Sequence, residues 1–463
     1  MSLHVSAALL EKYRTSAPRY TSYPTAIDWV PESFEPANYA DELKAAANNT
    51  APISVYVHVP FCEQMCLFCG CNVVITRSTD RVDRYLDRLE CEFERVGDTG
   101  IGSRPVHQYH WGGGTPTHLT PDRMLRLQSA FDDVFTRTED SESAIEVDPR
   151  VTTLEHLDAL AQMGFGRISM GVQDFEEDVQ VAINRVQSIE QTRMLVDGAR
   201  ARGMQSVNID LMYGLPHQTL EGFQRTIDVV LDMRPERVAL FHYAHVPWMK
   251  KHQTALDMGV APSSEIKLEI FLRAMEAFTQ AGYVYLGLDH FALPDDELAR
   301  AAKAERLHRN FMGYTTHKGS EMVSLGVSAI GEVNGCFAQN FASDAEYLDA
   351  IDDGGLATKR GHRMSDDDRL RRDIIMGIMC NGVLDTQRIG ADHGVDVNTM
   401  FADELKSLEP MVQDGLITMD ANAVRLTELG QLFMRNVALP FDRYFAARAA
   451  GGRDGDGTFS KTL

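Results

Sequence analysis

Cys62, Cys66 and Cys69 stand in a CxxxCxxC spacing directly after the apolar run 53–59, and Cys71 follows two positions on. Three thiolates on one loop can bind three irons of a [4Fe-4S] cluster and leave the fourth iron open for a substrate or cofactor. An open iron does chemistry, whereas a fully ligated one carries electrons. The same four thiols admit two other readings, a closed cluster that uses Cys71 as well and a structural zinc site. Zinc usually draws on two separated pairs, and Cys91, Cys336 and Cys380 stand singly, as small buried hydrophobes do. The thiols therefore predict a metal-bearing loop and favour an open cluster, with the alternatives still standing.

Four further groups of unusual residues share one kind of position. Gly112-Gly113-Gly114-Thr115-Pro116, Glu146 with Asp148, Gly171 with Gln173, and Asp210 with the segment Tyr213-Gly-Leu-Pro216 each close an apolar run, as the cysteine loop does. Triple glycine is either a flexible turn or a place where backbone must approach a ligand without a Cβ in the way. It has neither the GxGxxG of a dinucleotide site nor the Gly-Lys-Ser/Thr of a phosphate loop, which excludes a nucleoside triphosphate as the first reading.

The elements that would position these residues follow from periodicity. Strand-like runs at 53–59, 106–111, 144–147, 167–172, 207–212, 238–243 and 283–288 alternate with amphipathic helical patterns at 81–95, 121–135, 154–163, 188–202, 220–233 and 265–281. Repeated alternation implies right-handed βα units around a parallel sheet, and some six of them an α/β partial (β/α)6 barrel. In that architecture the functional residues gather at the C-terminal ends of the strands, where these groups lie. From about residue 363 the pattern turns mainly helical (366–379, 386–390, 399–414), with a small hairpin at 416–419 and 424–426, and predicts a smaller C-terminal domain of winged-helix character.

The net charge of −22 argues against a nucleic-acid partner, since phosphate binding needs an extended basic face. It also means that an anionic substrate must meet local arginines. The start of the chain lacks the pattern of a secretory signal, and no run has the length of a membrane span, so a cytoplasmic protein without membrane insertion is expected. The thiol usage fits a reducing compartment.

The CxxxCxxC loop followed by Gly112–Pro116 after the next strand resembles the radical S-adenosylmethionine (SAM) superfamily. A narrower resemblance, from about residue 10 to about residue 450, is to the oxygen-independent coproporphyrinogen III oxidase family. It rests on Pro18-Arg-Tyr-Thr-Ser-Tyr-Pro-Thr25, Cys69-Gly-Cys71-Asn72, Ile145-Glu-Val-Asp-Pro149, Ser169-Met-Gly-Val-Gln-Asp174, Asn208-Ile-Asp-Leu-Met-Tyr-Gly-Leu-Pro216, Gly287-Leu-Asp-His-Phe-Ala292, Leu307-His-Arg-Asn-Phe-Met-Gly-Tyr-Thr-Thr316 and Arg435-Asn-Val.

The resemblance implies an oxidoreductase of haem biosynthesis that converts two propionates of coproporphyrinogen III to vinyl groups, with a 5'-deoxyadenosyl radical made from SAM at a [4Fe-4S] cluster. It implies Cys62, Cys66 and Cys69 as cluster ligands, Cys71 as a non-ligand needed for activity, and two SAM molecules. Tyr56, Glu146, Ala244 and Ile330 correspond to contacts with the cluster-bound SAM, and Phe68, Gly113, Gly114, Thr115, Gln173, Arg185 and Asp210 to contacts around the second. His58, alternating with Tyr56, is placed beside the cluster as a hydrogen-bond donor or proton carrier. Without the resemblance, Tyr56 and Ile330 pass as core residues, His58 as a buried histidine, Arg185 as a surface arginine and Asp210 as a turn cap.

The domain expectation is an extension at 1–49 closing over the site, a catalytic domain at 50–362, a mainly helical domain at 363–450 and a disordered tail at 451–463. Partners expected are coproporphyrinogen III, an electron donor and an electron acceptor, with the chain acting as a monomer. Arg19 and Arg309 are the expected propionate contacts. A haem chaperone or haem-modifying enzyme built on the same core is the alternative, and Cys71 with the 18–25 segment favours the oxidase.

Overall fold

The computed structural model describes residues 5–450, so the tail expected to be disordered, 451–463, lies outside the described residues. The chain forms two compact units. One comprises Val30–Ala274 and Gly319–Arg363; the other takes the described residues up to Trp29, Met275–Lys318 and the described residues from Met364 onward. The segment 1–49 is thus shared between the two at Trp29.

The first unit is built on six parallel strands, β1 (Ile53–Val59), β2 (Pro105–Gly113), β3 (Thr136–Val147), β4 (Arg167–Gln173), β5 (Ser206–Tyr213) and β6 (Arg237–His242). They lie side by side in chain order, each hydrogen-bonded in parallel to the next. Helices α1 (Thr79–Gly97), α2 (Pro121–Asp132), α3 (Leu154–Gln162), α4 (Ile189–Ala201) and α5 (Leu220–Met233) make the crossovers. This is a partial (β/α)6 barrel. Near-continuous burial of β1, broken only at Tyr56, is what a strand covered on both faces requires.

The helices begin where their sequences satisfy the first free N–H groups. Ser78 caps α1, Thr219 caps α5, and Thr153 and Ser188 open α3 and α4 with reciprocal capping boxes. On α1, Val82, Tyr85, Leu86, Leu89, Phe93 and Val96 make one buried stripe at helical spacing. Aromatic rings fill the layer between sheet and helices, with Tyr109 stacked on Phe131 at 3.9 Å and Trp111 edge-on to Phe165 at 5.3 Å.

On the other side of β1 the sheet continues through four strands that the periodicity did not reveal. They are β7 (Met322–Leu325), parallel to β1, and then β8 (Ile330–Val333), β9 (Cys336–Asn340) and β10 (Thr358–Arg363), each antiparallel to its predecessor. Short meanders carry no long apolar run and no crossover helix, so they lack the signal that marked β1 to β6. Buried Glu92 of α1 ties this half down, accepting from Gly326 N–H, Asn340 Nδ2 and Tyr347 OH at 2.7 Å each.

In the second unit, a hairpin (Val284–Gly287 with His290–Ala292), a two-stranded ladder (His308–Asn310 with Gly313–Thr315) and the long helix Asp366–Asn381 are joined by a three-stranded sheet. The hairpin expected at 416–426 is present as Ile417–Met419 and Ala423–Leu426, with Val383–Asp385 added. The single helix expected over 399–414 is instead several short ones, including Ala402–Ser407 and Glu409–Gln413, because Pro410 has no N–H to continue the ladder. The N-terminal residues pack on this unit, with Lys12 Nζ and Tyr13 OH on Asp414 at 2.5 Å, Tyr20 OH on Asp442 at 3.1 Å and Arg435 Nε donating to Pro18 O at 3.1 Å. Among the described residues no helix is long and apolar enough to cross a membrane.

Candidate active site

The cysteine loop leaves β1 at Pro60 and is held from three sides by backbone contacts. Leu67 N–H donates to Ile183 O at 3.0 Å and Asn184 Nδ2 to Met65 O at 2.8 Å. Gln253 Nε2 donates to Phe68 O at 2.9 Å, His252 Nε2 lies 2.8 Å from Cys69 O, and Lys250 Nζ donates to Cys71 O at 2.8 Å. Its apolar underside, Leu67 and Phe68, packs on Val179, Ile183, Leu215, Tyr243 and Leu256.

Each of the three spaced thiols has a donor at its sulfur. Cys62 Sγ is 3.4 Å from Thr115 Oγ1, Cys66 Sγ accepts from Arg150 Nη2 at 3.3 Å and Arg185 Nη1 at 3.4 Å, and Cys69 Sγ accepts from the Cys71 N–H at 3.4 Å. Burial pushes the Cys62 thiol up to about 11 despite the Thr115 contact. The hydrogen bond from the Cys71 thiol brings Cys69 down to about 6 against burial, with Lys250 and His252 assisting. Cys71 itself is exposed, and its hydrogen bond to the Cys69 sulfur drives its own thiol well up. Three thiols flanked by hydrogen-bond donors and two guanidinium groups suit a [4Fe-4S] cluster, whose sulfurs carry negative charge and whose irons are ligated one cysteine each.

The glycine loop closes against this one from β2. A Cβ at Gly113, where φ is +121°, would stand 2.7 Å from the His58 ring, and one at Gly114 would stand 2.5 Å from Pro60 O. The triple glycine is therefore a close approach of two backbones, and not a loose turn. Gly114 N–H donates to Val59 O and Thr115 N–H to Phe61 O, both at 2.8 Å.

Sheet register then assembles the polar floor, since neighbours across parallel strands share a face. Tyr56 pairs with His110 and Glu146 with Ser169, while Ser169 in turn pairs with Asn208. Tyr56 stacks on His110 at 5.9 Å, its hydroxyl is 3.0 Å from His58 Nδ1, and His58 Nε2 is 3.1 Å from Asn72 O. Burial outweighs the Asn72 contact and lowers the pKa of His58. Glu146 receives the Gly113 N–H at 3.0 Å and lies 3.8 Å from His110 Nε2. Burial alone would raise this carboxyl, but His110, the Gly113 N–H and His58 hold it below the ordinary range. The Glu146 side chain is nonetheless 47% accessible, so a bound molecule can reach its carboxylate. Asp210 behaves oppositely. Burial and the Glu146 charge push it up to about 7, although Asn208 Nδ2 donates to it at 2.7 Å and Ser169 Oγ at 3.4 Å.

On the next strand end, Arg185 is buried and already engaged, donating to Asp148 Oδ2 at 3.0 Å and to Gly171 O through Nε at 2.9 Å, besides Cys66. Gln173 has φ +71°, and its Oε1 is buried without a partner among the described residues. An orphaned acceptor beside a strand end is a place for a donor from a bound molecule. Ala244 is exposed just beyond β6, and Ile330 opens β8, half-buried, its carbonyl accepting from Ser324 Oγ at 2.7 Å. The residues expected to hold the cluster and SAM thus all fall in the first unit, whereas Arg19 and Arg309, expected to meet propionates, belong to the second.

Asp148, noted with Glu146 at a strand end but given no role, joins them, and so do five that the sequence reasoning left out: His110, Arg150, Asn208, Lys250 and His252. Asp148 and Arg150 sat beside Glu146 in the motif, and His110 and Asn208 lie two positions from Gly112 and Asp210, the strand spacing that puts residues on one face. Lys250 and His252 had no sequence signal, being on an irregular segment after β6.

Residues 56–230 match the radical SAM superfamily, and residues 364–433 match the HemN C-terminal domain. The chain is 42% identical over 443 residues to the oxygen-independent coproporphyrinogen III oxidase of Escherichia coli K12, covering 96% of each. It is 41% identical to the protein of that name from Pseudomonas aeruginosa, covering 95% of each, and 38% identical to that from Synechocystis, covering 96% of each. The solved structure of coproporphyrinogen III oxidase (HemN) from Escherichia coli, described as a radical SAM enzyme, superposes with a TM-score of 0.90 at 40% identity, covering 96% of this chain and 100% of that one.

Proposed function

The chain belongs to the oxygen-independent coproporphyrinogen III oxidase family of the radical SAM superfamily, and from that premise we propose which of its own residues carry the reaction. The reaction is the oxidative decarboxylation of two propionates of coproporphyrinogen III to vinyl groups, giving protoporphyrinogen IX. A [4Fe-4S] cluster and SAM, when bound, supply the 5'-deoxyadenosyl radical that takes hydrogen from the propionate β-carbon.

Cys62, Cys66 and Cys69 hold the cluster, and the donors at their sulfurs, Thr115, Arg150, Arg185 and the Cys71 N–H, stabilise its charge. Glu146, kept ionised, accepts from the ammonium or ribose hydroxyls of the cluster-bound SAM, while Gly113 and Gly114, which let their backbone close on His58 and Pro60, serve the second. Tyr56 and His110 fix the orientation of that carboxylate, and His58 links Tyr56 to the cysteine loop through Asn72 O. Ala244 and Ile330 line the same bound SAM. Gln173, Asp210, Phe68 and Thr115 serve a second SAM, and Arg185 orients Asp148 and Cys66 beneath it. Cys71, exposed and outside the ligand spacing, is a free thiol at the reacting centre.

The single observation that carries this assignment is that each of the three spaced sulfurs meets a hydrogen-bonding group: Thr115 after β2 at Cys62, Arg150 and Arg185 from beyond β3 and β4 at Cys66, and the Cys71 N–H of the loop itself at Cys69. The enzyme is further proposed to act as a cytoplasmic monomer, apart from nucleic acid and membranes, with a separate electron donor and acceptor. The test is anaerobic reconstitution followed by SAM, a reductant and coproporphyrinogen III. Formation of 5'-deoxyadenosine together with protoporphyrinogen is expected from the native chain, and neither from Cys66→Ser. Cleavage of SAM with the porphyrinogen returned intact would sink the assignment.

A further inference from the structure

Gly70 is exposed, and a Cβ built on it would meet nothing within 4 Å, so the turn from Cys69 to Cys71 has no packing of its own to fix it. Yet the Cys71 N–H is aimed at Cys69 Sγ, at 3.4 Å. The orientation comes from the segment after β6. His252 Nε2 donates to Cys69 O at 2.8 Å and so holds the peptide before Gly70, and Lys250 Nζ donates to Cys71 O at 2.8 Å and holds the peptide after Cys71. Because a peptide is planar, pinning its carbonyl fixes its plane, and the Gly70–Cys71 peptide between the two keeps few orientations.

The segment that supplies these donors is itself anchored. Gln253, 1% exposed, accepts the Val246 N–H through Oε1 at 2.7 Å and donates from Nε2 to Phe68 O at 2.9 Å. The Lys250 N–H donates to Val246 O at 2.9 Å, and Leu256 lies in the same apolar cluster as Leu67 and Phe68. On such a base the two side chains act as fixed points and not as mobile surface groups.

Charge runs the same way. Residues 64–79 and 237–256 carry no aspartate or glutamate, in a chain that has 67 of them. Lys250 meets a carbonyl and, among the described residues, no carboxylate, so its positive charge stands unneutralised beside the thiol loop. A cation near an iron–sulfur site favours the form that has gained an electron.

We propose that Lys250 and His252 are positioning residues for the [4Fe-4S] cluster, which orient the Cys71 N–H toward the Cys69 sulfur, with the Lys250 charge favouring the reduced cluster. The inference rests on the cluster reading above. Neither residue supplies a thiolate; each acts through the backbone of the loop.

The full chain is reconstituted anaerobically with iron and sulfide, and its cluster is followed by electron paramagnetic resonance through a redox titration. Lys250→Gln, which keeps a donor for Cys71 O and loses the charge, is expected to lower the ratio of reduced to oxidised cluster at a fixed potential by about threefold to tenfold, while Lys250→Arg stays near the native ratio. His252→Leu, which loses the donor to Cys69 O, is expected to release iron to a chelator about tenfold faster, and His252→Gln, whose amide reaches the same carbonyl, at nearly the native rate. Should His252→Leu fail to fold, His252→Phe carries the same expectation. A Lys250→Gln ratio equal to the native one overturns the proposal, as does an equal fall in Lys250→Arg or unaltered iron release from His252→Leu. A native chain that assembles no four-iron cluster removes the cluster reading itself, and the inference with it.

Discussion

The ends of β3 and β5 each carry a carboxylate on the same face of the sheet, and the two are held in opposite states. Glu146 is kept ionised by His110, the Gly113 N–H and His58, whereas Asp210 has mainly the neutral donors Asn208 and Ser169 and feels the Glu146 charge, which with burial carries it up to about 7. Burial acts on both in the same direction. Partners, and not depth, decide which one is charged. A site that must hold a cationic, hydroxyl-bearing cofactor gains from one fixed negative charge and one carboxyl able to donate as well as accept.

The largest expected consequence is at β3. Glu146→Ala removes the fixed charge and strands the Gly113 N–H, and is expected to lower the rate of SAM cleavage by about 10²–10³-fold. A loss of less than threefold would show that the two strand ends are not distinct in role. The same substitution should bring Asp210 down towards the ordinary aspartate range, readable by carbon-13 titration of that carboxyl.

At β5 the expected effect is on stability and depends on pH. The folded chain keeps the Asp210 proton up to about 7, while the unfolded chain loses it near an ordinary value of about 3.9. Between those limits the folded state binds more protons, so stability falls as pH rises through that window and is level above it. Asp210→Asn, always neutral, escapes that fall. The melting temperature of the variant relative to the native chain should therefore increase between pH 5 and pH 8, and a constant difference would break the comparison.

The smallest effect is expected from Asn208→Ala, which removes one donor from Asp210. It should cost about 1 kcal/mol in urea unfolding and move the Asp210 titration further up. No movement of the titration would mean that Asn208 does not distinguish β5 from β3.

The parallel half of the sheet was legible because its strands are buried on both faces and each is followed by a capped, amphipathic helix; residues 53–59 and 220–233 match β1 and α5 at both ends. Residues 319–363 were not legible, because a meander of short strands needs neither long apolar runs nor crossover helices. Within the site, the thiol spacing, the triple glycine and the strand-end carboxylates stood out as residue types. His110, Lys250 and His252 did not, since each acquires its role from a partner far along the chain.

By itself the sequence determined the residues that can ligate iron, the order of the βα units and the family resemblance, since spacing, periodicity and motif order are local properties of the chain. Only the tertiary structure decided that the glycine loop lies against His58 and Pro60, that Arg185 is already matched by Asp148, and that Glu146 and Asp210 differ in charge. Those outcomes depend on which side chains register, burial and packing bring within a few ångströms, and electrostatic energies at such distances depend on the neighbours present rather than on the residue type.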